Sequence, residues 1–371
     1  MRRKLLMVGR SRYSLPLSPP LQRKFQALEV ELDVRVLGSA AELDGRDPRF
    51  RLVRPVRPRV IDGAAFYALL PLRVARELRR NRPDAILVQG APETALALLG
   101  RSLARSRAKV IADVHGDPRA ATRLYGSPLR KALSPLADLL ARRGLRGADG
   151  VRTLSPFTDR AVRSAGAEPT ASFAAFIDLE PFVAGPPAPF PERPVALFVG
   201  VLERYKAVDV LAEAWRLAAP RVPNATLHLV GRGRLRDVVA RLLAELPTQT
   251  RWTASLPTAG VVCALDESSV LVLPSRSEGL PRVVVEAFCR GRGVVGTRAG
   301  GIPDLVVDGQ NGVVVPPGDP HALADALVRV LSERSLAERL GARARTSVGP
   351  WLATPEEYAH RIRELVEKVV S

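Results

Sequence analysis

The sequence predicts an α/β protein built as two doubly wound, Rossmann-like domains in tandem, and three observations carry that reading. Short apolar runs alternate with helix-period segments along the chain, a proline-rich stretch interrupts the alternation near the middle, and the alternation then restarts. Runs of four to eight residues that are apolar on both faces suit strands of a parallel sheet covered by helices. A chain of 371 residues is long enough for two buried cores of ordinary size. Ligand is then expected at the carboxyl ends of the strands, in a cleft between the domains.

In the first half the strand candidates are KLLMVG (4–9), LDVRVLG (32–38), AILVQG (85–90), KVIADVHG (109–116) and GVRTLS (150–155), with helical patterns at 66–80, 93–106 and 128–144. The segment AGPPAPFPERP (184–194) holds five prolines in eleven residues, which neither a helix interior nor a central strand accepts. It is read as the linker between a domain over 1–183 and another over 195–350. In the second half strands are expected at VALFVGVL (195–202), ATLHLVG (225–231), TRWTASL (250–256), SVLVLPS (269–275), GVVGTR (293–298) and NGVVVPP (311–317). Asp319 followed by Pro320 marks a helix start. A last helical pattern, 351–371, has no strand after it and is expected to cross back to the first domain.

Composition bounds the function. Two cysteines in apolar runs, Cys263 and Cys289, read as small buried hydrophobes of a reducing compartment. The apolar part of MRRKLLMVGR is shorter than the ~7 residues of a signal-peptide core, and no stretch approaches the ~18 of a membrane span. A cytoplasmic protein, soluble or peripheral on the inner membrane face, is expected. The net charge is +18, of which +15 falls on residues 1–190. Its two readings are an Arg-heavy composition inherited from the genome and an anionic partner such as a membrane surface. Nucleic acid is not expected, because aromatic residues for base stacking are only 5% of the chain.

The chemistry concentrates in SRSEGLPRVVVEAF (275–288), where Glu278 and Glu286 stand eight positions apart around a Gly-Leu-Pro corner between strand and helix. Free backbone amides of Gly279 and Leu280, with Pro281 near the first turn, favour an anion such as a diphosphate. Carboxylates before the corner and inside the helix suit the binding of hydroxyls, so their task is orientation.

The stretch from PSRSEGLP to HALADAL (274–327) resembles the signature region of GT-B glycosyltransferases of family 4, with their E-x7-E motif. The resemblance extends over about 195–331 and more loosely into the first half, where DVHGD (113–117) looks like the family's donor-side histidine loop. It implies metal-independent transfer of a sugar, with retention at the anomeric carbon, from a nucleotide sugar (UDP- or GDP-linked) to a sugar, lipid-linked or other hydroxyl acceptor in glycolipid or polysaccharide synthesis. No cofactor is implied beyond the nucleotide-sugar co-substrate. Carried over by position, the resemblance makes Glu278, Lys206 and His115 the catalytic residues. It assigns donor binding to Arg204, Gly231, Gly233, Gly279, Leu280, Pro281 and Glu286, and a loop facing the first domain to Gly300, Gly301 and Ile302.

Two departures stand out. Val201 follows Gly200 where the family has arginine, which makes Arg204 the substitute cation. The first strand runs into GRSRYSLPLSPP and not a double-glycine loop, leaving Gly9, Arg10, Ser11 and Arg12 as candidates for the first domain's loop. The other histidines lack neighbours at metal-ligand spacing, so no metal site is expected. GRGVVG (291–296) leads into a strand where a dinucleotide fingerprint leaves one. Two other functions remain open from sequence: a nucleotide-sugar epimerase on the same architecture, and a non-catalytic nucleotide-sugar-binding subunit.

Overall fold

The computed structural model describes residues 2–56, 59–117 and 134–371. The chain divides into two compact units, Met1–Phe176 with Ala353–Ser371, and Ile177–Leu352. The first holds a seven-stranded sheet in the order β3-β2-β1-β4-β5-β6-β7. Its strands are β1 Lys4–Leu15, β2 Asp33–Leu43, β3 Phe50–Val53, β4 Ala85–Gln89, β5 Lys109–Val114, β6 Gly150–Thr153 and β7 Ala171–Ser172. The second holds a six-stranded sheet in the order β10-β9-β8-β11-β12-β13. These strands are β8 Val195–Val199, β9 Thr226–Val230, β10 Thr250–Thr253, β11 Val270–Leu273, β12 Gly293–Thr297 and β13 Gly312–Val315. Neighbouring strands are parallel in both sheets. The protein is therefore α/β with two Rossmann-like sheets. Chain order reverses between β1 and β4 and between β8 and β11, the places where such sheets open a crevice.

Burial follows the expected pattern. Ile86, Leu87 and Val88 of β4, and Leu271, Val272 and Leu273 of β11, are buried on both faces of their sheets. Strands β3 and β7 were not expected, since four and two residues at a sheet edge are too short to show a period. The expected helix over 128–144 lies partly outside the described residues, whose helix here is Ser134–Gly147. The last helix, Pro355–Val370, begins with a capping box of Thr354 and Glu357 and packs Tyr358, Ile362, Leu365 and Val366 into the core of the first unit.

Three local expectations are corrected. Residues Gly9, Arg10, Ser11 and Arg12 lie inside β1 and not in a loop. The strand continues because Tyr13 packs edge-on against Phe25 and Phe50, and Gly38 of β2 leaves room for its ring. Cys263 is exposed and only Cys289 is buried, because helix Thr258–Asp266 gives its inward positions to Ala264 and Leu265. The division between units falls at Phe176 and Ile177, so the proline-rich segment belongs to the second unit. Two buried arginines hold it there: Arg290 donates to the carbonyls of Phe182, Gly185 and Pro186, and Arg292 to those of Ala188 and Pro189. Proline offers no N–H, so arginine donors are a natural way to fasten such a segment.

Candidate active site

The switch point of the second sheet gathers most of the expected residues. After β8 the chain turns through Gly200–Glu203 into a short 3-10 turn, Arg204–Lys206. After β11 it passes through Pro274–Pro281 into the helix Arg282–Cys289. Lys206 Nζ donates to Glu278 Oε1 at 2.6 Å, and the fully buried Ser275 Oγ donates to the same oxygen at 2.6 Å. Both anchors converge on Oε1, and Oε2 accepts no hydrogen bond from the described residues. A carboxylate fixed by one oxygen presents the other, while an ammonium with three donors keeps two after serving Glu278.

The pair sits on a braced frame. Arg276 donates from its backbone to the Tyr205 carbonyl at 2.7 Å and from its guanidinium to the Arg204 carbonyl at 2.6 Å. The same guanidinium forks onto Asp209, with bonds of 3.0 and 2.8 Å. This clamp joins the two turns that carry Lys206 and Glu278. From behind, Gly301 N–H donates to the Glu278 carbonyl at 3.1 Å, and Gly300, at φ +57°, lies so close that a Cβ there would stand 2.0 Å from that oxygen. Gly231 and Gly233 permit a similar approach: a Cβ at either would meet the carbonyl of Gly200 or Leu202 at 1.9 or 2.4 Å. Their role in the fold is to let the β9 turn close on the β8 turn.

The helix after the corner has Pro281 at its cap and no side-chain cap bond, so among the described residues no side chain caps its first amides. Glu286 lies one turn in and is largely buried. Its one ionic neighbour among the described residues is Arg282 at 3.6 Å. Burial pushes its carboxyl above the ordinary range, with Arg282 opposing. Arg204, Arg232 and Arg234 extend exposed around the same turns. Burial, with Glu278 adding to it, pushes the Tyr205 hydroxyl up to about 12, which keeps it neutral beside the Lys206 ammonium 5.4 Å from its ring.

In the first unit His115 follows β5. Its Nε2 lies 2.8 Å from Asp113 Oδ2, and Gln89 Nε2 lies 3.4 Å from its Nδ1. A carboxylate only accepts, so the partners assign the proton to Nε2. Asp113 is in turn held by Arg152, whose Nη1 donates at 2.7 Å. Arg152 is fully buried against the rings of Phe173 and Tyr358. Burial pushes Asp113 up, but Arg152 and His115 outweigh it and hold its carboxyl well below the usual range. Strand alternation separates the four residues of β1. Gly9 and Ser11 face Gln89, with Ser11 Oγ 2.5 Å from its Oε1. Arg10 turns the other way to Asp62 at 3.1 Å, and Arg12 is exposed.

Sequence reasoning missed Ser275, Arg276, Gln89 and Arg152. Only a charged residue inside the strand GVRT hinted at the last, because a buried arginine requires a buried partner. Among the described residues no group of three or more His, Cys, Asp and Glu side chains is arranged to hold a metal ion.

These parallel sheets, with an acid-lysine pair at the switch point of the second, define a two-domain GT-B architecture. The model of the glycosyl transferase 4-like domain matches residues 20–171, and that of glycosyl transferases group 1 matches residues 193–333. The chain belongs to family 4 of the GT-B glycosyltransferases, a family of transferase enzymes. It is similar to the D-inositol 3-phosphate glycosyltransferase of Thermobifida fusca, 34% identical over 39% of this chain and 36% of that protein. It also resembles the GDP-mannose-dependent alpha-(1-6)-phosphatidylinositol monomannoside mannosyltransferase of Mycolicibacterium smegmatis, 28% identical over 67% and 68%. With the sulfoquinovosyl transferase of Arabidopsis thaliana it shares 31% identity over 42% of this chain and 30% of that one. The chain thus matches about a third of the length of the first and third of these relatives. In fold it is like the sucrose-phosphate synthase of Thermosynechococcus elongatus, with a TM-score of 0.78 at 19% identity over 99% of both chains. An Anabaena protein solved with UDP-glucose gives a TM-score of 0.68 at 16% identity over 99% of both.

Proposed function

We propose that this chain transfers a sugar from a nucleotide-sugar donor, UDP- or GDP-linked, to a hydroxyl acceptor, with retention at the anomeric carbon. The acceptor class is a sugar or a lipid-linked glycan precursor, and the place of action is the cytoplasm. The observation that carries the reading is the anchored carboxylate of Glu278, one oxygen held by Lys206 and Ser275 and the other without a hydrogen bond from the described residues, at a corner whose helix no described side chain caps. Support comes from relatives named as sugar transferases and from the fold neighbour solved with UDP-glucose.

In this reading the diphosphate lies on the amides of Gly279 and Leu280, where the helix dipole favours anions. Lys206 offers its two remaining donors to that diphosphate, and the exposed Arg204 supplies the second cation. Together they stabilise the charge that builds on the departing nucleoside diphosphate. Glu278 Oε2 takes hydroxyls of the transferred sugar. Glu286, whose carboxyl lacks a hydrogen bond among the described residues, takes those of the ribose. Gly231 and Gly233 hold the turn beside the nucleoside. His115, oriented by Asp113, is the first unit's proposed catalytic residue. The same-face geometry of retention asks the departing phosphate to accept the proton of the incoming hydroxyl. No metal or cofactor beyond the co-substrate enters this scheme.

The test is transfer from UDP-glucose and GDP-mannose to an acceptor panel, with product anomers read by NMR. The reading expects α-products from α-donors, and loss of at least about 100-fold in rate for Lys206→Ala and Glu278→Ala. Near-normal turnover in either folded variant removes the site assignment, and inverted products remove the stereochemical one.

A further inference from the structure

Three helices of the first unit, Arg59–Asn81, Ala91–Ala104 and Ser134–Gly147, lie side by side on one face of its sheet. Glycines set their close approach: a Cβ at Gly100 would stand 2.7 Å from the Pro71 carbonyl, and one at Gly144 would stand 2.1 Å from the Ala91 carbonyl. The outward side of this layer is apolar. Leu69, Leu72, Leu99, Leu103, Leu136 and Leu139 are exposed by 42% to 61%. Single exposed leucines are ordinary, but six on three adjacent helices make a surface that water alone does not favour.

Arginines continue the same stripe. On the first helix Leu69, Leu72, Arg76 and Arg80 follow helical spacing along one side. That helix runs antiparallel to the strands, so its leucines stand toward the strands' carboxyl ends and its arginines toward their amino ends. A groove of about 540 Å³ opens between the helices, lined by Leu72, Ala75 and Leu103 together with Arg76, Arg79 and Arg80. A neighbouring hollow of about 580 Å³ shares Arg79 and adds Arg82, Arg105, Arg107 and Lys109. The one acid lining it, Asp84, already accepts from the Lys4 amide and pairs with Arg3. Among the described residues the side chains of Arg76, Arg80, Arg82, Arg105 and Arg107 have no ion pair.

We propose that this helical face docks on an anionic phospholipid bilayer, the leucines entering the acyl boundary and the arginines holding head-group phosphates. Charge complementarity commits the surface to that occupant. Five unpaired guanidiniums beside an apolar stripe match a surface carrying phosphates over hydrocarbon, and guanidinium forks suit phosphate oxygens. A nucleic acid would use the arginines and leave the leucines in water. The inference goes beyond the transfer reading, since docking needs no turnover and is measured without donor or acceptor.

The test is co-sedimentation of the full chain with phosphatidylcholine vesicles, with and without phosphatidylglycerol. Wild-type protein is expected to bind the anionic vesicles alone, and more weakly as salt rises. A cation at such a surface contributes about fivefold in affinity, so Arg76→Glu/Arg80→Glu/Arg107→Glu should weaken binding at least about 100-fold. A control of the same net charge in the second unit, Arg241→Glu/Arg329→Glu/Arg339→Glu, should stay within about threefold. Leu69→Ser/Leu72→Ser should weaken binding about tenfold at physiological salt, while its melting temperature stays that of the wild type. Equal binding to neutral vesicles, equal losses in patch and control variants, or undiminished binding by the leucine variant would each overturn the proposal. Tighter binding to a DNA duplex than to anionic vesicles would also overturn it.

Discussion

Gly300→Ala is the substitution whose effect follows most directly from geometry. At φ +57° an alanine pays about 1–2 kcal/mol for the left-handed backbone alone. Its Cβ would also stand 2.0 Å from the Glu278 carbonyl oxygen and 2.7 Å from the Glu278 nitrogen, both backbone atoms. Ordinary contact therefore requires the Glu278 peptide to retreat by roughly 1 Å. That retreat breaks the 3.1 Å bond from Gly301 N–H, worth about 1 kcal/mol. The sum is roughly 2–3 kcal/mol of stability. Function should fall further, because displacing a substrate-positioning group by about 1 Å costs on the order of 100-fold in rate. Gly309→Ala is the internal control, with φ +71° and nothing within 4 Å of the added Cβ. It should show the backbone cost of about 1–2 kcal/mol and no loss of transfer. Urea denaturation and initial rates on the two variants decide the matter. A Gly300→Ala enzyme as active as Gly309→Ala would refute the idea that this glycine sets the position of Glu278.

Two more predictions follow from the hydrogen-bond networks. Ser275→Ala removes one of two anchors on Glu278 Oε1 and should lower turnover about tenfold, with nucleoside diphosphate affinity unchanged by calorimetry. Asp113→Asn leaves the buried Arg152 without its charge partner and should cost about 3–5 kcal/mol at neutral pH. Because the folded protein holds Asp113 below the ordinary carboxylate range, its stabilisation is complete above that range. It is lost as pH falls through the folded value. The stability gap between wild type and Asp113→Asn should therefore narrow in acid, as measured by urea melts across pH.

The fold was legible because apolar strands and helix-period segments are local signals, and the candidate site could be proposed where chemistry is packed into a short stretch. Glu278, Gly279, Leu280 and Glu286 lie within nine residues of one another. What escaped depends on contacts between distant segments. Ser275 looks like any turn serine until the fold places it under the carboxylate 2.6 Å away. Arg152 and Asp113 are 39 positions apart, and nothing local links them. The extent of β1 was missed for the same reason, since Tyr13 is held by Phe25 and Phe50 from other elements. The linker prolines were visible, but the arginines that fasten them, Arg290 and Arg292, lie about a hundred positions away.

The direct measurement is calorimetric titration of UDP against UDP-glucose, or GDP against GDP-mannose, on wild type and Glu278→Gln. The account predicts that the wild type binds the sugar nucleotide at least about tenfold more tightly than the nucleoside diphosphate, and that Glu278→Gln loses this increment while keeping diphosphate affinity. A Glu278→Gln protein that still prefers the sugar nucleotide by the wild-type margin would contradict it.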